Sequence, residues 1–259
     1  MHGLKGEYLR GVARELGCNY AALEYRGQGM SHGNYLDHSL QDWIDDVLFM
    51  VDTATPGAAY ILVGSSLGAW LALHAALARP QAVQGLLLVA PAVDISQHWA
   101  QVASPASAAG CEQSQEPAGA AASAKCGAGG PSAAPDPDLV LVPSSYMEGG
   151  SIVLQRSMIQ QATQRHLLLS GPGAVKVAGL HCAVHILYSE RDDAVPREIP
   201  ERLAHVLELL GNCPHLCLEN VPDGDHRLSR EGDLERMRRA LQALSAHGSP
   251  APNNYPRPD

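Results

Sequence analysis

Short apolar segments alternate with amphipathic helical patterns along most of this chain, and this alternation restricts the possible folds more than any other feature. Continuous apolar runs are typical of strands buried on both faces, as in a parallel sheet. Strands are predicted at residues 20–25, 59–63, 85–90, 183–188 and 216–221. Helices are predicted at residues 6–16, 40–53, 67–78, 199–210 and 232–245. This order forms βαβ units, so the sequence predicts an α/β fold with a mostly parallel sheet and helices on both faces.

The segment Gly64-Ser65-Ser66-Leu67-Gly68 matches the pattern G-x-S-x-G between an apolar strand and an Ala/Leu-rich helix. In that context the pattern is typical of a nucleophile elbow, a tight turn that holds the central side chain above the sheet. Ser66 is therefore the predicted nucleophile, whereas Ser65 lies at the wrong position of the turn. The backbone N–H of Leu67 is predicted to donate to the oxyanion. A Gly/Ser turn that merely joins a strand to a helix is the alternative.

Chain order predicts the partners of this serine. Asp192 follows the fourth predicted strand, and His226 follows the fifth. In α/β-hydrolases the acid and then the histidine come after the serine, on loops at the carboxyl ends of later strands. Asp192 is the predicted acid of a Ser66–His226–Asp192 triad, with Asp193 in reserve. Two exposed turn aspartates are the alternative interpretation.

Composition excludes several other classes of function. The chain has 18 Lys and Arg against 27 Asp and Glu, with no basic cluster, which argues against a nucleic-acid partner. Its apolar runs are much shorter than the roughly 20 residues that span a bilayer. Cys213, His215 and Cys217 stand close together, but no second ligand pair lies nearby, so no metal or other cofactor is expected.

Two segments depart from the alternating pattern. Residues 104–138 and the tail at 247–259 consist mainly of small and polar residues and proline, and are predicted to be disordered because they offer little apolar surface to bury. The remaining residues, 1–103 and 139–246, are predicted to form one domain. Within it, residues 139–170, with a helix-like stretch at 150–165, are expected to form a small cap.

Several blocks also resemble one family of α/β-hydrolases, the mitochondrial palmitoyl-protein thioesterases that are also acyl-glucuronide esterases. The similarity lies chiefly in Leu62-Val63-Gly64-Ser65-Ser66-Leu67-Gly68-Ala69-Trp70-Leu71 and in shorter blocks at 24–31, 143–146, 192–196 and 224–227. Ser66, Asp192 and His226 match the family's triad positions one by one. The resemblance implies a mitochondrial enzyme, although no transit segment stands at Met1; a cytoplasmic protein is the alternative.

The chain departs from that family at its beginning. Relatives start with one or more strands and a glycine-containing loop that supplies a second oxyanion donor, and Met1 stands just beyond the corresponding point. We therefore expect those strands and that donor to be absent from this chain. Loss of one such donor typically costs about a hundred- to a thousand-fold in rate, so residues 1–259 alone are expected to be unstable or weakly active.

The predicted function is hydrolysis of an acyl ester or thioester without a cofactor. His226 would remove the proton of Ser66, whose attack on the carbonyl forms an acyl-enzyme that water cleaves. The resemblance implies S-palmitoylated proteins, or small esters such as acyl glucuronides, as substrates. A proline-type aminopeptidase with the same triad, and a non-catalytic binding protein of the same fold, are the alternatives. The sequence does not indicate an oligomeric state.

Overall fold

The computed structural model has a four-stranded parallel sheet at its centre. It describes residues 3–105, 136–144, 147, 149–170, 176–210 and 212–247. The strands are β1 (Tyr60–Ser65), β2 (Val83–Val89), β6 (Ala183–Tyr188) and β7 (Leu216–Asn220), in the order β1-β2-β6-β7. The predicted α/β fold is confirmed, and four of the five predicted strands match these to within two residues.

Helices cover both faces of this sheet. They are α1 (Leu4–Glu15), α2 (Leu40–Thr53), α3 (Leu67–Ala78), α4 (Ser96–Val102), α5 (Arg156–Arg165), α6 (Glu198–Leu210) and α7 (Glu231–His247). Helix α2 begins with a capping box in which Ser39 and Asp42 each accept a hydrogen bond from the other's backbone N–H. All five predicted helices are present, with bounds that differ by up to two residues.

The core is divided between the two faces by the alternation of side chains along β2. Leu86 and Leu88 join a cluster that contains most buried residues of α2, α3 and α6, whereas Leu87 and Val89 join one that contains the buried apolar residues of α1 and α7. All four leucine and valine side chains are at most 1% exposed. Because successive side chains of a strand point to opposite faces, one apolar strand supplies both clusters.

A smaller antiparallel sheet lies between β2 and β6 in the chain. It consists of β3 (Ser104–Pro105), β4 (Leu139–Pro143) and β5 (Ser151–Gln155), and α5 follows it directly. We call residues 139–170 the cap. Val140, Val142 and Leu154 are buried in the larger core cluster, so the cap packs on the main domain through its apolar side.

One predicted strand is wrong. Residues 20–25 pair with no strand among the described residues, and a cleft of about 490 Å³ separates Tyr20, Ala22 and Leu23 from the first turn of α1. An apolar pattern gives a segment the propensity for a strand, but a strand also needs a neighbour that completes its ladder. Within the described residues β1 is the edge strand on that side, and Val63 is 40% exposed.

Two further predictions about the cap and the insertion need correction or lie outside the described residues. The helix-like stretch at 150–165 is helical only from Arg156, because β5 pairs with β4 in a regular antiparallel ladder. The insertion predicted at 104–138 begins with Ser104 and Pro105 in β3 rather than in a disordered segment. Residues 106–135 and 248–259, where most of the insertion and almost all of the predicted tail fall, lie outside the described residues.

Candidate active site

The turn between β1 and α3 places Ser66 at the carboxyl end of the sheet. Ser66 has φ 54° and ψ −122°, a backbone conformation that non-glycine residues rarely adopt. The neighbouring segment holds it there: the N–H of Ser66 donates to the carbonyl oxygen of Val89 at 2.8 Å, and the N–H of Ala92 donates to the carbonyl oxygen of Ser66 at 3.2 Å. Such strain persists only where the surroundings impose it, and it is frequent at functional sites.

The two glycines of the motif differ in what they require. A Cβ atom at Gly64 would stand 2.4 Å from the carbonyl oxygen of Gly68 and 2.5 Å from the Cα of Ala69, so no side chain fits there. Among the described residues, a Cβ at Gly68 would meet only the hydroxyl of Tyr25, at 3.4 Å. The close approach of strand and helix therefore demands glycine at position 64 and only favours it at position 68.

Three side chains from distant parts of the chain form one line of hydrogen bonds. The Oγ of Ser66 lies 3.0 Å from Nε2 of His226, and Nδ1 of His226 lies 2.8 Å and 3.0 Å from the two carboxylate oxygens of Asp192. Since the carboxylate can only accept, Nδ1 carries the proton and Nε2 is left to accept from the serine hydroxyl. The imidazole is thus oriented to take a proton from Ser66.

Asp192 lies in the loop that follows β6. Its side chain is 3% exposed, and the Oδ1 atom also accepts hydrogen bonds from the N–H groups of Ala194 and Val195, both at 2.9 Å. Asp193, the reserve acid, is exposed. Of the two candidates, the structure brings Asp192 to His226.

Ser189 links the loop of the acid to the loop of the histidine. Its buried hydroxyl donates to the carbonyl oxygen of Gly224 at 2.7 Å, two residues before His226. A Cβ at Gly224 would stand 2.4 Å from Leu228 and 3.1 Å from Ser189, so the two loops approach too closely for a side chain. No sequence pattern identifies Ser189 as a residue of the site, because a serine after a strand is common. Its role follows from its contact with Gly224, 35 positions away.

Leu67 is the first residue of α3, next to the hydroxyl of Ser66 in the chain. Its N–H belongs to the first four of the helix, which have no partner inside the helix and point towards its N-terminal end. The positive end of the helix dipole lies at the same place. This arrangement is suited to stabilise negative charge that develops beside Ser66.

The cap is attached at the same end of the sheet. Asp94, which follows β2 and is buried with φ 58°, accepts hydrogen bonds from the N–H groups of Leu168 and Leu169 at 2.7 Å and 2.8 Å. Burial raises the pKa of Asp94, and these two bonds oppose that rise. Sequence analysis did not identify Asp94, since its partners lie more than 70 residues away.

A second attachment ties the cap to the elbow helix. The carbonyl oxygen of His166 accepts hydrogen bonds from Nε1 of Trp70 and from Nε2 of His74, both at 3.0 Å. Burial lowers the pKa of His74 to about 4, so this imidazole stays neutral at neutral pH. Helix α3 therefore carries Ser66 at its start and holds the cap through its second and third turns.

Within the part of the chain that the structure describes, no group of three or more His, Cys, Asp or Glu side chains could hold a metal ion. Cys213 and Cys217, which flank His215, are free thiols whose pKa values burial raises. No helix of the described ranges is both long and apolar enough to cross a bilayer.

Comparison with known proteins finds similar sequences over most of this chain. The bovine palmitoyl-protein thioesterase ABHD10, mitochondrial, is 31% identical over 239 residues, and its human counterpart is 30% identical over 238 residues. Each match covers 92% of this chain and 66% of the relative, so the chain spans just under two thirds of the length of these relatives. Residues 8–118 match a family described as serine aminopeptidase, S33.

Solved structures share the fold. The α/β-hydrolase domain-containing protein 10 from mouse superimposes with a TM-score of 0.70 at 24% identity, covering 95% of this chain and 85% of that one. A putative hydrolase from Agrobacterium vitis S4 superimposes with a TM-score of 0.64 at 26% identity, covering 94% and 83%. Est1E from Butyrivibrio proteoclasticus, solved with ferulic acid bound, gives 0.63 at 18% identity, covering 95% and 86%.

Proposed function

We propose that this chain, which has an α/β-hydrolase fold and resembles the ABHD10 proteins, is a serine hydrolase that cleaves acyl esters or thioesters through an acyl-enzyme on Ser66. One observation carries the proposal: the hydroxyl of Ser66, the imidazole of His226 and the carboxylate of Asp192 form one line of hydrogen bonds of 2.8–3.0 Å. A nucleophile, a base and a group that orients the base are what acyl transfer requires.

The first half-reaction begins when Nε2 of His226 accepts the Ser66 proton as Oγ attacks the acyl carbonyl. The carbonyl π electrons move to oxygen, and the N–H of Leu67 and the N-terminus of α3 stabilise the resulting oxyanion. When the tetrahedral intermediate collapses, the bond to the leaving thiolate or alkoxide breaks. The imidazolium of His226 gives its proton to that leaving group, and an ester of Ser66 remains.

The second half-reaction repeats these steps with water. His226 removes a proton from the water molecule, which attacks the Ser66 ester, and the proton passes to Oγ as the carboxylic acid leaves. Asp192 keeps the proton of Nδ1 in place and stabilises the imidazolium in both halves. The three residues therefore need no cofactor for the complete cycle.

We propose S-palmitoylated protein cysteines as substrates, with smaller acyl esters as a second class, because the relatives are named palmitoyl-protein thioesterases. Aminopeptidase activity is the competing candidate, since residues 8–118 match a family that carries that description. The same triad serves both reactions, so the difference must lie in the pocket and the cap.

The test is covalent labelling by a fluorophosphonate probe, followed by hydrolysis of a palmitoyl thioester, a short-chain ester and an aminoacyl arylamide. We expect labelling of the native protein, none of Ser66→Ala, and unchanged labelling of Ser151→Ala, a serine in β5 remote from the triad in the chain. Faster hydrolysis of the arylamide than of the thioester would indicate aminopeptidase activity instead of thioesterase activity. Labelling that survives in Ser66→Ala would contradict the proposal, and absence of labelling in a folded native protein would favour a non-catalytic role.

We also propose a mitochondrial location, because the curated relatives are named as mitochondrial. Fractionation of cells that express the gene under its own promoter tests this: we expect the protein with mitochondrial markers. Recovery with cytosolic markers alone would contradict the proposed location but not the proposed reaction.

A further inference from the structure

The side chain of Lys5, in the first turn of α1, forms hydrogen bonds with both segments that carry the proposed nucleophile and base. Its Nζ atom donates to the Oγ of Ser65 at 2.8 Å and to the carbonyl oxygen of Arg227 at 2.7 Å. Ser65 directly precedes Ser66, and Arg227 directly follows His226. One ammonium group thus connects the immediate neighbours of two residues that are 160 positions apart.

We propose that Lys5 is a positioning residue for acyl transfer: its ammonium group fixes the elbow turn relative to the loop after β7 and so maintains the contact between Ser66 and His226. This inference rests on the proposed function, since it assigns Lys5 a role only if Ser66 and His226 react. Lys5 does not touch the reacting atoms, and it acts through Ser65 and Arg227.

The setting of Lys5 differs from that of the other cation early in α1. Arg10 extends into solvent and pairs with Glu7 on its own helix. Lys5 is instead partly buried, and this desolvation lowers its pKa to about 8. The nearby charge of Arg227 adds to the fall, whereas the carboxylates of Asp225 and Asp233 oppose it. A lysine is seldom buried unless specific partners compensate for the lost hydration.

The two bonds matter because proton transfer depends on a single distance. His226 and Ser66 stand on separate loops, and their Nε2–Oγ distance of 3.0 Å is within the range for a general base. Displacement of a reacting group by about 1 Å can cost about a hundred-fold in rate. A group that bridges both loops limits such displacement without entering the reaction.

Replacement of Lys5 by methionine tests the proposal, since Lys5→Met keeps an unbranched apolar stem and removes all donors. We expect kcat, per site titrated with the fluorophosphonate probe, to fall about ten-fold, an effect smaller than a full 1 Å displacement would cause. KM should stay within about two-fold, because no substrate contact is lost. Arg10→Met removes a cation from the same helix and should leave kcat unchanged.

A merely structural role for Lys5 would lower the melting temperature and the yield but leave kcat per titrated site unchanged, and that result would overturn the proposal. Should Lys5→Met fail to fold, Ser65→Ala removes one of the two acceptors and should lower kcat several-fold. Unchanged kcat in Ser65→Ala would then overturn it. Loss of labelling in Ser66→Ala together with unchanged kcat in Lys5→Met would contradict this inference but would support the proposed function.

The pH dependence of kcat distinguishes a positioning role of Lys5 from a role in stability alone. Charge-assisted hydrogen bonds are about twice as strong as neutral ones, so loss of the Lys5 proton near pH 8 should weaken both bonds. We expect the kcat of the native protein to fall about three-fold above that pH. Lys5→Arg, whose guanidinium remains charged, should not show this fall. The same fall in Lys5→Arg would overturn the role of the ammonium group.

Discussion

Ser66 is held in a backbone conformation that serine seldom adopts, and the side chains of His226 and Asp192 are buried beside it. The side chains of His226 and Asp192 are 6% and 3% exposed. Two backbone donors and one imidazole donor surround the Asp192 carboxylate. The carboxylate therefore fixes the tautomer of the imidazole as well as its orientation, and both are required for Nε2 to accept the serine proton.

The first prediction concerns that tautomer. Asp192→Asn keeps the size of the side chain but presents an amide that can donate to Nδ1, so Nε2 would carry the proton and could no longer act as the base. We expect kcat to fall by about a thousand- to ten-thousand-fold with little change in folding. Asp193→Asn is the matched control: it alters the adjacent, exposed carboxylate and should keep nearly full activity. The reverse pattern would reassign the acid.

At this scale, the sequence was informative where chemistry and chain order coincide. Ser66, Asp192 and His226 could each be selected because a strand precedes each of them and because their order is that of the fold. Lys5, Asp94 and Ser189 could not be selected, because the partners that connect them to the site are 35 or more positions away and no local pattern indicates them. Long-range hydrogen bonds are set by packing, which a single sequence does not display.

Among the elements, the strand–turn–helix from β1 to α3 carries the tightest constraint. Gly64→Ala would place a Cβ 2.4 Å from a backbone oxygen, so we expect a loss of soluble, folded protein or a large drop in the melting temperature. Gly68→Ala should be tolerated. Alanine stabilises a helix by about 1 kcal/mol relative to glycine, and within the described residues the added Cβ would approach only the Tyr25 hydroxyl, at 3.4 Å. Thermal unfolding of the two variants side by side tests this; equal losses would contradict it.

The attachment of the cap gives a third prediction. Asp94→Asn preserves a residue type that tolerates φ 58° but replaces one accepting oxygen by an NH₂ group, so either Leu168 or Leu169 loses its acceptor. We expect a lower melting temperature and a KM for thioester that rises several-fold, with kcat per titrated site nearly unchanged. Asp45→Asn, on the exposed side of α2, is the control. An unchanged KM would show that the cap does not shape the substrate site.

Elements with a strong local pattern were predicted well, and those that depend on a partner were not. The apolar run at 183–188 and the helix that begins after the Ser39 capping box could be placed to within one residue. Residues 20–25 have strand-like composition but pair with no strand in the described ranges, and residues 151–155, predicted as part of a helix, pair with β4. Pairing overrides propensity in both cases.

For the whole molecule, the core consists of two apolar clusters on opposite faces of one sheet, with the candidate site at the carboxyl ends of its strands. His74, His166 and His185 lie at least partly buried in this framework. Burial lowers the pKa of each, and that of His74 reaches about 4. The folded protein therefore resists protonation that the unfolded chain accepts.

This difference sets the sign of the fourth prediction. Below about pH 6.5 the unfolded state binds protons that the folded state refuses, so the free energy of unfolding should fall as the pH is lowered from 6.5 towards 4. We expect the melting temperature to fall by about 5 °C or more over that interval. His74→Gln, which keeps a donor for the His166 carbonyl, should flatten the slope. A melting temperature that stays constant would contradict the burial of neutral imidazoles.

The most direct test of acyl transfer by Ser66 is rapid-quench mass spectrometry of the protein mixed with a palmitoyl thioester. We predict a palmitoyl adduct on the peptide that contains Ser66, formed within the first turnover, lost on deacylation and absent from Ser66→Ala. Release of free palmitate at an undiminished rate by Ser66→Ala, or turnover with no adduct at Ser66 at any time, would contradict the account.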